Sequence, residues 1–445
     1  LSSSSRIDNR TRVLKKDDTV AVLDWYGEIG PVSTGSLGLY HHGTRYVSKW
    51  GVTLANCRPM PLNSTIREDN SVLLVDSTTP DILNEHAPEL TKGTLHLRRQ
   101  IVVEAGVFTE KATITNYSER TVDVEFAYDF ATDFVDIFEV RGNARAQRGT
   151  LRPPQIEGNS VRLSYEGLDE IVRRTQFKFD RTPQSIDAER ALFRLQIESN
   201  REITFTTRIV CESEVQNFDL QPAVWMTQKA GSADVGWAHI VTDNEEFNEW
   251  IERSIADLRM LTSQTTCGAY PYAGVPWFAT PFGRDGLITA LQTLWVQPSL
   301  SRGVLSFLAA TQATTIDPKT ESQPGKILHE CREGEMANLD EIPFRRYYGT
   351  VDATPLYVVL AGRYYLRTHD LEFIRNIWPN VIRCIEWMEK YGDIDGDGFL
   401  EYAPTPGKGL VQQGWKDSSN SIFHADGSNA KAPIALCEVQ AYAFD

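Results

Sequence analysis

The hydrophobic pattern changes its period near residue 235, and a chain that does so cannot be built from one kind of layer. From about Val20 to Arg208, short runs rich in Val, Ile, Thr, Phe and Tyr are broken by Gly, Asn, Asp and Pro, which predicts antiparallel strands. Residues 94–103 alternate partially, through Leu95, Leu97, Ile101 and Val103, and residues 121–130 alternate through Val122, Val124, Phe126 and Tyr128. Side chains two apart share a strand face, so these are half-buried strands, and many in succession predict a β-sandwich. Beyond residue 235 the apolar residues Phe247, Trp250, Ile251, Ile255, Leu258 and Leu261 keep a spacing of three and four, behind Asp243 and Glu246 placed as a capping box. Helical segments are expected at 286–296, 300–311, 353–367, 371–376 and 379–391, the last opened by Pro379 at a first helical position. The expected organisation is a sandwich over 1–230, a linker over 231–242 and a helical domain over 243–445.

A chain of 445 residues exceeds one ordinary core, in keeping with several domains. Its formal charge of -15 repels nucleic acid and anionic membranes, and a neutral substrate fits that balance better. With 41% hydrophobic residues and a mean hydropathy of -0.33, no stretch approaches the apolar length of a membrane span. The six cysteines show no CxxC pair and no short repeated spacing, so reduced, buried thiols are expected. The start, Leu1-Ser-Ser-Ser-Ser-Arg6, lacks the apolar region of a secretory signal, and a cytoplasmic enzyme is the expectation.

The long segments 312–351 and 392–431 between the helices are rich in Gly, Asp, Trp, Tyr and His; ordered loops of that length usually carry function. Trp277, Phe278, Arg284 and Asp285 share a loop that opens onto a helix. Aromatic faces stack on sugar rings while guanidinium and carboxylate bind hydroxyls, so the mixture suits carbohydrate. The same Asp285 also reads as a helix N-cap paired with Arg284. In Gln412-Gln-Gly-Trp-Lys-Asp417-Ser-Ser, Asp417 is the candidate general acid, its carboxyl partly desolvated by Trp415, with Lys416 turned away. As a bare motif, a loop aspartate is more often a solvated turn residue. Tyr348 and Asp352, just before a helix, either line a polar pocket with Asp285 and Asp417 or only cap the helix. Asp393, Asp395, Asp397 and Glu401 have calcium-loop spacing, with Gly398 at the sixth position and Pro404 at the twelfth in place of the usual glutamate. That excludes a standard EF-hand and leaves two readings, a structural calcium site or a solvated turn. No other cofactor is implied, and no phosphate-cradling glycine loop, HExxH or GxSxG is present.

Six segments taken together, and in order, resemble the bacterial glycogen-debranching or amylo-α-1,6-glucosidase-like family. They start at Asp136 (Asp-Ile-Phe-Glu-Val-Arg-Gly), Pro276 (through Gly283-Arg-Asp-Gly), Pro324 (Pro-Gly-Lys-Ile-Leu-His-Glu), Tyr348 (Tyr-Gly-Thr-Val-Asp-Ala-Thr-Pro-Leu), Gln413 (Gln-Gly-Trp-Lys-Asp-Ser) and His424 (through Glu438-Val-Gln-Ala-Tyr). The resemblance implies an N-terminal antiparallel β-sandwich followed by an (α/α)6 toroid, the six-hairpin glycosidase fold. It implies hydrolysis of α-glucosidic bonds of an oligosaccharide or α-glucan, with inversion. Asp417 would be the general acid, in a Gly-Trp-x-Ser type loop carrying one extra residue. Arg284, Asp285 and Asp352 would hold the first sugar, Trp277 and Trp415 would wall it, and Phe278, Tyr348 and Glu438 would complete the subsite. About 200 residues follow Asp243, enough for roughly half of twelve helices. The toroid is therefore expected to be incomplete, with the general base outside the chain. The rival readings are a sandwich-plus-toroid glycoside phosphorylase, needing a basic phosphate pocket, and a non-catalytic carbohydrate-binding protein. Linkage and oligomeric state are not readable from the sequence.

Overall fold

The computed structural model describes residues 11–30, 35–84, 87–213, 236–405 and 409–445, so part of the expected linker, 231–235, lies outside the described residues. Packing divides the chain into two units. One comprises Leu1–Val215, Arg253–Met260 and Val275–Trp277; the other comprises Gln216–Glu252, Leu261–Gly274 and Phe278–Asp445.

The first unit is antiparallel sheet. An eight-stranded sheet runs, in spatial order, Thr150–Glu157, Ser160–Glu166, Val172–Phe179, Glu202–Ser213, Val107–Asn116, Leu95–Glu104, Leu73–Thr78 and Met60–Ile66. A four-stranded sheet runs Ser185–Ile186, Arg190–Ile197, Val122–Ala131 and Lys49–Leu54. The two pack face to face: Trp50, on the smaller sheet, stacks on Phe177 of the larger at 6.1 Å and meets Phe108 edge-on at 6.2 Å. Aromatic rings of this size bury much apolar area and account for the thickness of the sandwich core.

The partial alternation in Leu95–Glu104 proves complete, because the residue between Leu97 and Ile101 on the inward face is a buried arginine. Arg99 is 1% exposed and Glu110 fully buried. Arg99 Nη2 donates to Glu110 Oε2 at 2.6 Å and Nε to Oε1 at 2.9 Å, while its remaining donors reach the carbonyls of Tyr26 and Gly27. Trp50 Nε1 also donates to Glu110, at 2.9 Å. A charge is tolerated in a sandwich core when it is paired and saturated with hydrogen bonds in this way.

The segment starting at Asp136 is a short helical turn, Ile137–Val140, closed by a capping box in which Asp136 accepts from Phe138 N and Glu139 accepts from Asp136 N.

The main helices of the second unit are Gly283–Thr293, Pro298–Thr311, Ala353–Thr368, Leu371–Trp387 and the shorter Cys437–Phe444. Leu287, Val304, Leu308, Leu356, Leu360 and Ile377 meet in one buried cluster. Two helix expectations need correction. Glu245–Leu261 is capped by Asn244, whose Oδ1 accepts from Phe247 N at 3.0 Å, instead of by Asp243; an amide and a carboxylate serve equally at that position. Phe247 and Trp250 on this helix are exposed. The second correction concerns Pro379, which opens no helix and lies inside Leu371–Trp387. Phe373, Ile377, Val381, Cys384 and Trp387 form one buried stripe across it, and burial of that stripe outweighs the roughly 3 kcal/mol a proline costs within a helix.

Candidate active site

The second unit gathers carboxylates from separate segments around one guanidinium. Arg284 stands in the first turn of Gly283–Thr293. That turn is pressed against the 328–329 backbone: Gly283 N donates to His329 O at 2.8 Å, and a Cβ at Gly283 would lie 1.9 Å from Leu328 O. Only glycine permits this approach. The buried Arg284 donates through Nη1 to Asp352 Oδ2 at 3.1 Å and to Gly414 O at 2.8 Å, and through Nη2 to Asp417 Oδ2 at 3.1 Å.

Asp352 is fully buried at the N-cap position of Ala353–Thr368, yet its carboxylate makes no capping bond. It takes Arg284 on one oxygen and the Thr350 hydroxyl, at 2.5 Å, on the other. The capping-only reading of Asp352 is therefore set aside. Asp285 is likewise not an N-cap: it belongs to the first helical turn, with Phe282 at the cap, and Arg284 pairs with Asp352 and Asp417. Burial raises the Asp285 carboxyl above its ordinary range, Arg284 opposes that rise, and the charges of Asp352 and Asp417 reinforce it. Tyr442 is pushed up by burial and then by Asp352 and Glu438, and a Cβ on Gly414 would stand 3.7 Å from Glu438 Oε1. Glu438 thus stands beside Gly414, whose carbonyl accepts from Arg284.

Other expected site residues stand differently. Asp417 is not desolvated by an aromatic wall: its side chain is 43% exposed, Trp415 is 62% exposed, and the partner of Asp417 is Arg284. Tyr348 is a core residue whose hydroxyl donates to Thr311 O at 2.6 Å, so its body packs with the helices and does not line a polar pocket. Phe278 is exposed and meets Phe282 edge-on at 5.8 Å. Trp277 groups with the first unit.

The loops that carry the cluster are tied by Glu321, a residue the motif reading did not single out. Its carboxylate accepts from Tyr347 OH at 3.0 Å, from Thr405 N at 2.7 Å and from Gln413 Nε2. Tyr347 OH in turn accepts from Leu410 N at 2.8 Å. The Asp417 loop is thereby pinned four residues before the acid candidate. Glu321 adopts a φ of 55°, a left-handed conformation that side chains rarely hold unless surrounding bonds fix it. Thr350, whose hydroxyl donates to Asp352, was also missed.

At the candidate calcium loop, ligand atoms of Asp393, Asp395 and Glu401 lie within 4.8 Å of one another. Asp397 is not part of that group; it accepts from Phe399 N. Asp393 is engaged by the amides of Gly396, Asp397 and Gly398. A calcium shell of roughly six to eight oxygens would need further oxygens from backbone carbonyls or water beside these three carboxylates.

Comparison with known proteins follows this geometry. Residues 14–208 match the family model described as the N-terminal domain of (some) glycogen debranching enzymes. No curated protein matches the chain. Among solved structures, a protein from the human microbiome assigned as a kojibiose phosphorylase is similar over 89% of this chain, at 10% identity and a TM-score of 0.57; the chain spans 59% of that protein's length. A galactose mutarotase related enzyme from Lactobacillus acidophilus aligns with 46% of this chain and 99% of its own, at 8% identity and a TM-score of 0.27. The heparan sulfate lyase HepC from Pedobacter heparinus aligns with 47% of this chain and 36% of its own, at 11% identity and a TM-score of 0.27. These last two likenesses are too slight to carry an argument.

The class defined here is one of fold: an antiparallel sheet domain followed by a helical region, the arrangement of the structurally similar glycoside phosphorylase. Within that fold, the sheet domain is similar to the N-terminal domain of (some) glycogen debranching enzymes over residues 14–208.

Proposed function

We propose that the protein is a glycoside hydrolase that cleaves α-glucosidic bonds of an oligosaccharide or α-glucan, of the amylo-α-1,6-glucosidase kind and acting with inversion. The observation that carries this reading is the convergence of Asp352 and Asp417 on the single guanidinium of Arg284, with the Asp285 carboxyl acting on the same charges. Buried Asp352 fixes the Arg284 guanidinium, which in turn holds the more exposed Asp417 in place. Asp417, the most exposed member of its ion-pair network, is placed to give a proton to the leaving glycosidic oxygen. Asp285, whose carboxyl is raised above its ordinary range by burial, adds a further hydrogen-bonding group for a hydroxyl.

Phosphorolysis is the second reading, supported by the fold shared with the kojibiose phosphorylase. Against it stands the local charge, since several carboxylates around one engaged arginine repel a phosphate dianion. Incubating the full-length protein with isomaltose, panose, maltose, trehalose and a limit dextrin, with and without phosphate, separates the two. Glucose release independent of phosphate, greatest on α-1,6 linkages, is the expected result; turnover only with phosphate overturns hydrolysis, and a preference for another linkage overturns the debranching assignment.

A further inference from the structure

The first unit holds a cavity of about 250 Å³ on the outer face of the four-stranded sheet. Its floor is Lys49–Leu54. Along that strand Trp50, Val52 and Leu54 turn into the sandwich core, which leaves Lys49, Gly51 and Thr53 on the opposite face, with Asp129 paired across from Gly51. Its wall is the segment from Asp24 to Gly30, fastened to the sheet edge by reciprocal 2.8 Å hydrogen bonds between Ile29 and Trp50.

The polar groups around this space are fixed by one another. Glu28, 8% exposed, accepts from Val52 N at 3.2 Å and meets Arg58 at 2.6 Å. Asp24 holds the same Arg58 at 2.8 Å, and the guanidinium lies over the Tyr26 ring, 3.5 Å from its centroid. Asp129 pairs with Arg190 at 3.2 Å, and Arg190 also donates to Thr53. Donors and acceptors held in place before a ligand arrives lose little entropy when it binds.

Glycine keeps the space open. Gly51 sits within a strand, where glycine weakens the sheet. Yet a Cβ there would meet nothing nearer than the Glu28 carboxyl carbon at 3.6 Å, and one at Gly30 would meet nothing within 4 Å. Packing does not demand glycine at either position.

We propose that this cavity is a second carbohydrate site, taking one neutral glycosyl unit by its hydroxyls. The lining offers three carboxylates against Arg58 and Lys49, which disfavours anions and supplies both acceptors and donors for hydroxyl groups. The volume lies below the roughly 300–1,000 Å³ of pockets for drug-sized ligands, which fits a single ring better than an extended chain. The proposal stands on these groups alone and does not depend on the reading of the Arg284 cluster.

Hydrogen exchange of the full chain, with and without saturating D-glucose, maltotriose or isomaltotriose, tests it locally. At least one sugar is expected to protect residues 24–30 and 49–58. That protection should persist in Asp417→Asn and disappear in Gly51→Val, whose added methyl groups occupy the cavity. Circular dichroism checks that Gly51→Val is folded, and Lys49→Ala, which alters only an exposed side chain, should weaken binding at least tenfold if the blocking variant does not fold. Unchanged exchange at 24–30 and 49–58 with all three sugars, or protection that survives in folded Gly51→Val, overturns the proposal. Loss of glucose release at the Arg284 cluster would leave this readout unaffected.

Discussion

At the scale of residues, Glu110 shows how dependent a buried charge is on its partners. It has no exposed surface and takes hydrogen bonds from both Arg99 and Trp50. Removing one member of such a pair leaves the other charge buried and alone, so Glu110→Ala should cost about 3–5 kcal/mol in urea unfolding of the sheet domain. A loss below about 1 kcal/mol would mean that water reaches Arg99. The inward position of Arg99 was not legible from its residue type, because a hydrophobic pattern registers a charge as a break; only the apolar residues on either side marked the strand face. The candidate site divides similarly. Arg284, Asp285, Asp352 and Asp417 were legible as chemistry-bearing residues in loops or at helix starts. What could not be read was which of them pair, since Arg284 bonds residues 68 and 133 positions away, and local spacing does not record such contacts. Tyr348 was misplaced for the converse reason: residue type suggested a pocket lining, while burial made it a packed core residue; and Trp415, an exposed ring, does not desolvate Asp417 as expected.

At the scale of elements, Leu371–Trp387 sets helix propensity against packing. Its proline leaves the ladder one donor short, and the buried stripe from Phe373 to Trp387 holds the helix together across it. Pro379→Ala should therefore stabilise the protein, by about 1–3 kcal/mol, seen as a higher midpoint in thermal unfolding. A lower midpoint would show that the helix needs the proline's restriction. The two predicted segments became one helix because sequence rules place a boundary at proline, whereas a continuous apolar stripe overrides it. The strands were easier to read: alternation through Val122, Val124, Phe126 and Tyr128 survives intact in Val122–Ala131, whose inward residues face the core. The tie between the 312–351 and 403–413 loops at Glu321 was invisible, since a hub of hydrogen bonds has no period.

At the scale of the whole molecule, each unit carries a histidine kept neutral by burial, and both bear on pH stability. Burial, with help from His42, pushes His41 down to about 3 against an opposing hydrogen bond to the Asp18 backbone. Burial and the charges of Arg284, Arg332 and Lys326 push His329 well below its usual 6.5. For both groups the unfolded chain binds the proton first, so their contribution to stability is full above 6.5 and falls as the medium is acidified toward the folded values. Urea unfolding should accordingly show less stability at pH 5 than at pH 7.5, and His329→Gln should flatten part of that slope; a slope of opposite sign would contradict the neutral assignment. The catalytic account rests on Asp417 as proton donor in the Arg284 cluster. Its sharpest test compares wild type and Asp417→Asn, both full length, on isomaltose and on α-glucosyl fluoride, whose leaving fluoride needs no proton. The account predicts that the variant loses isomaltose hydrolysis by a hundredfold or more, in the range typical of general acids, while it keeps most of its activity on the fluoride. Equal losses on both substrates, or no loss on isomaltose, would contradict the assignment of Asp417 as the acid.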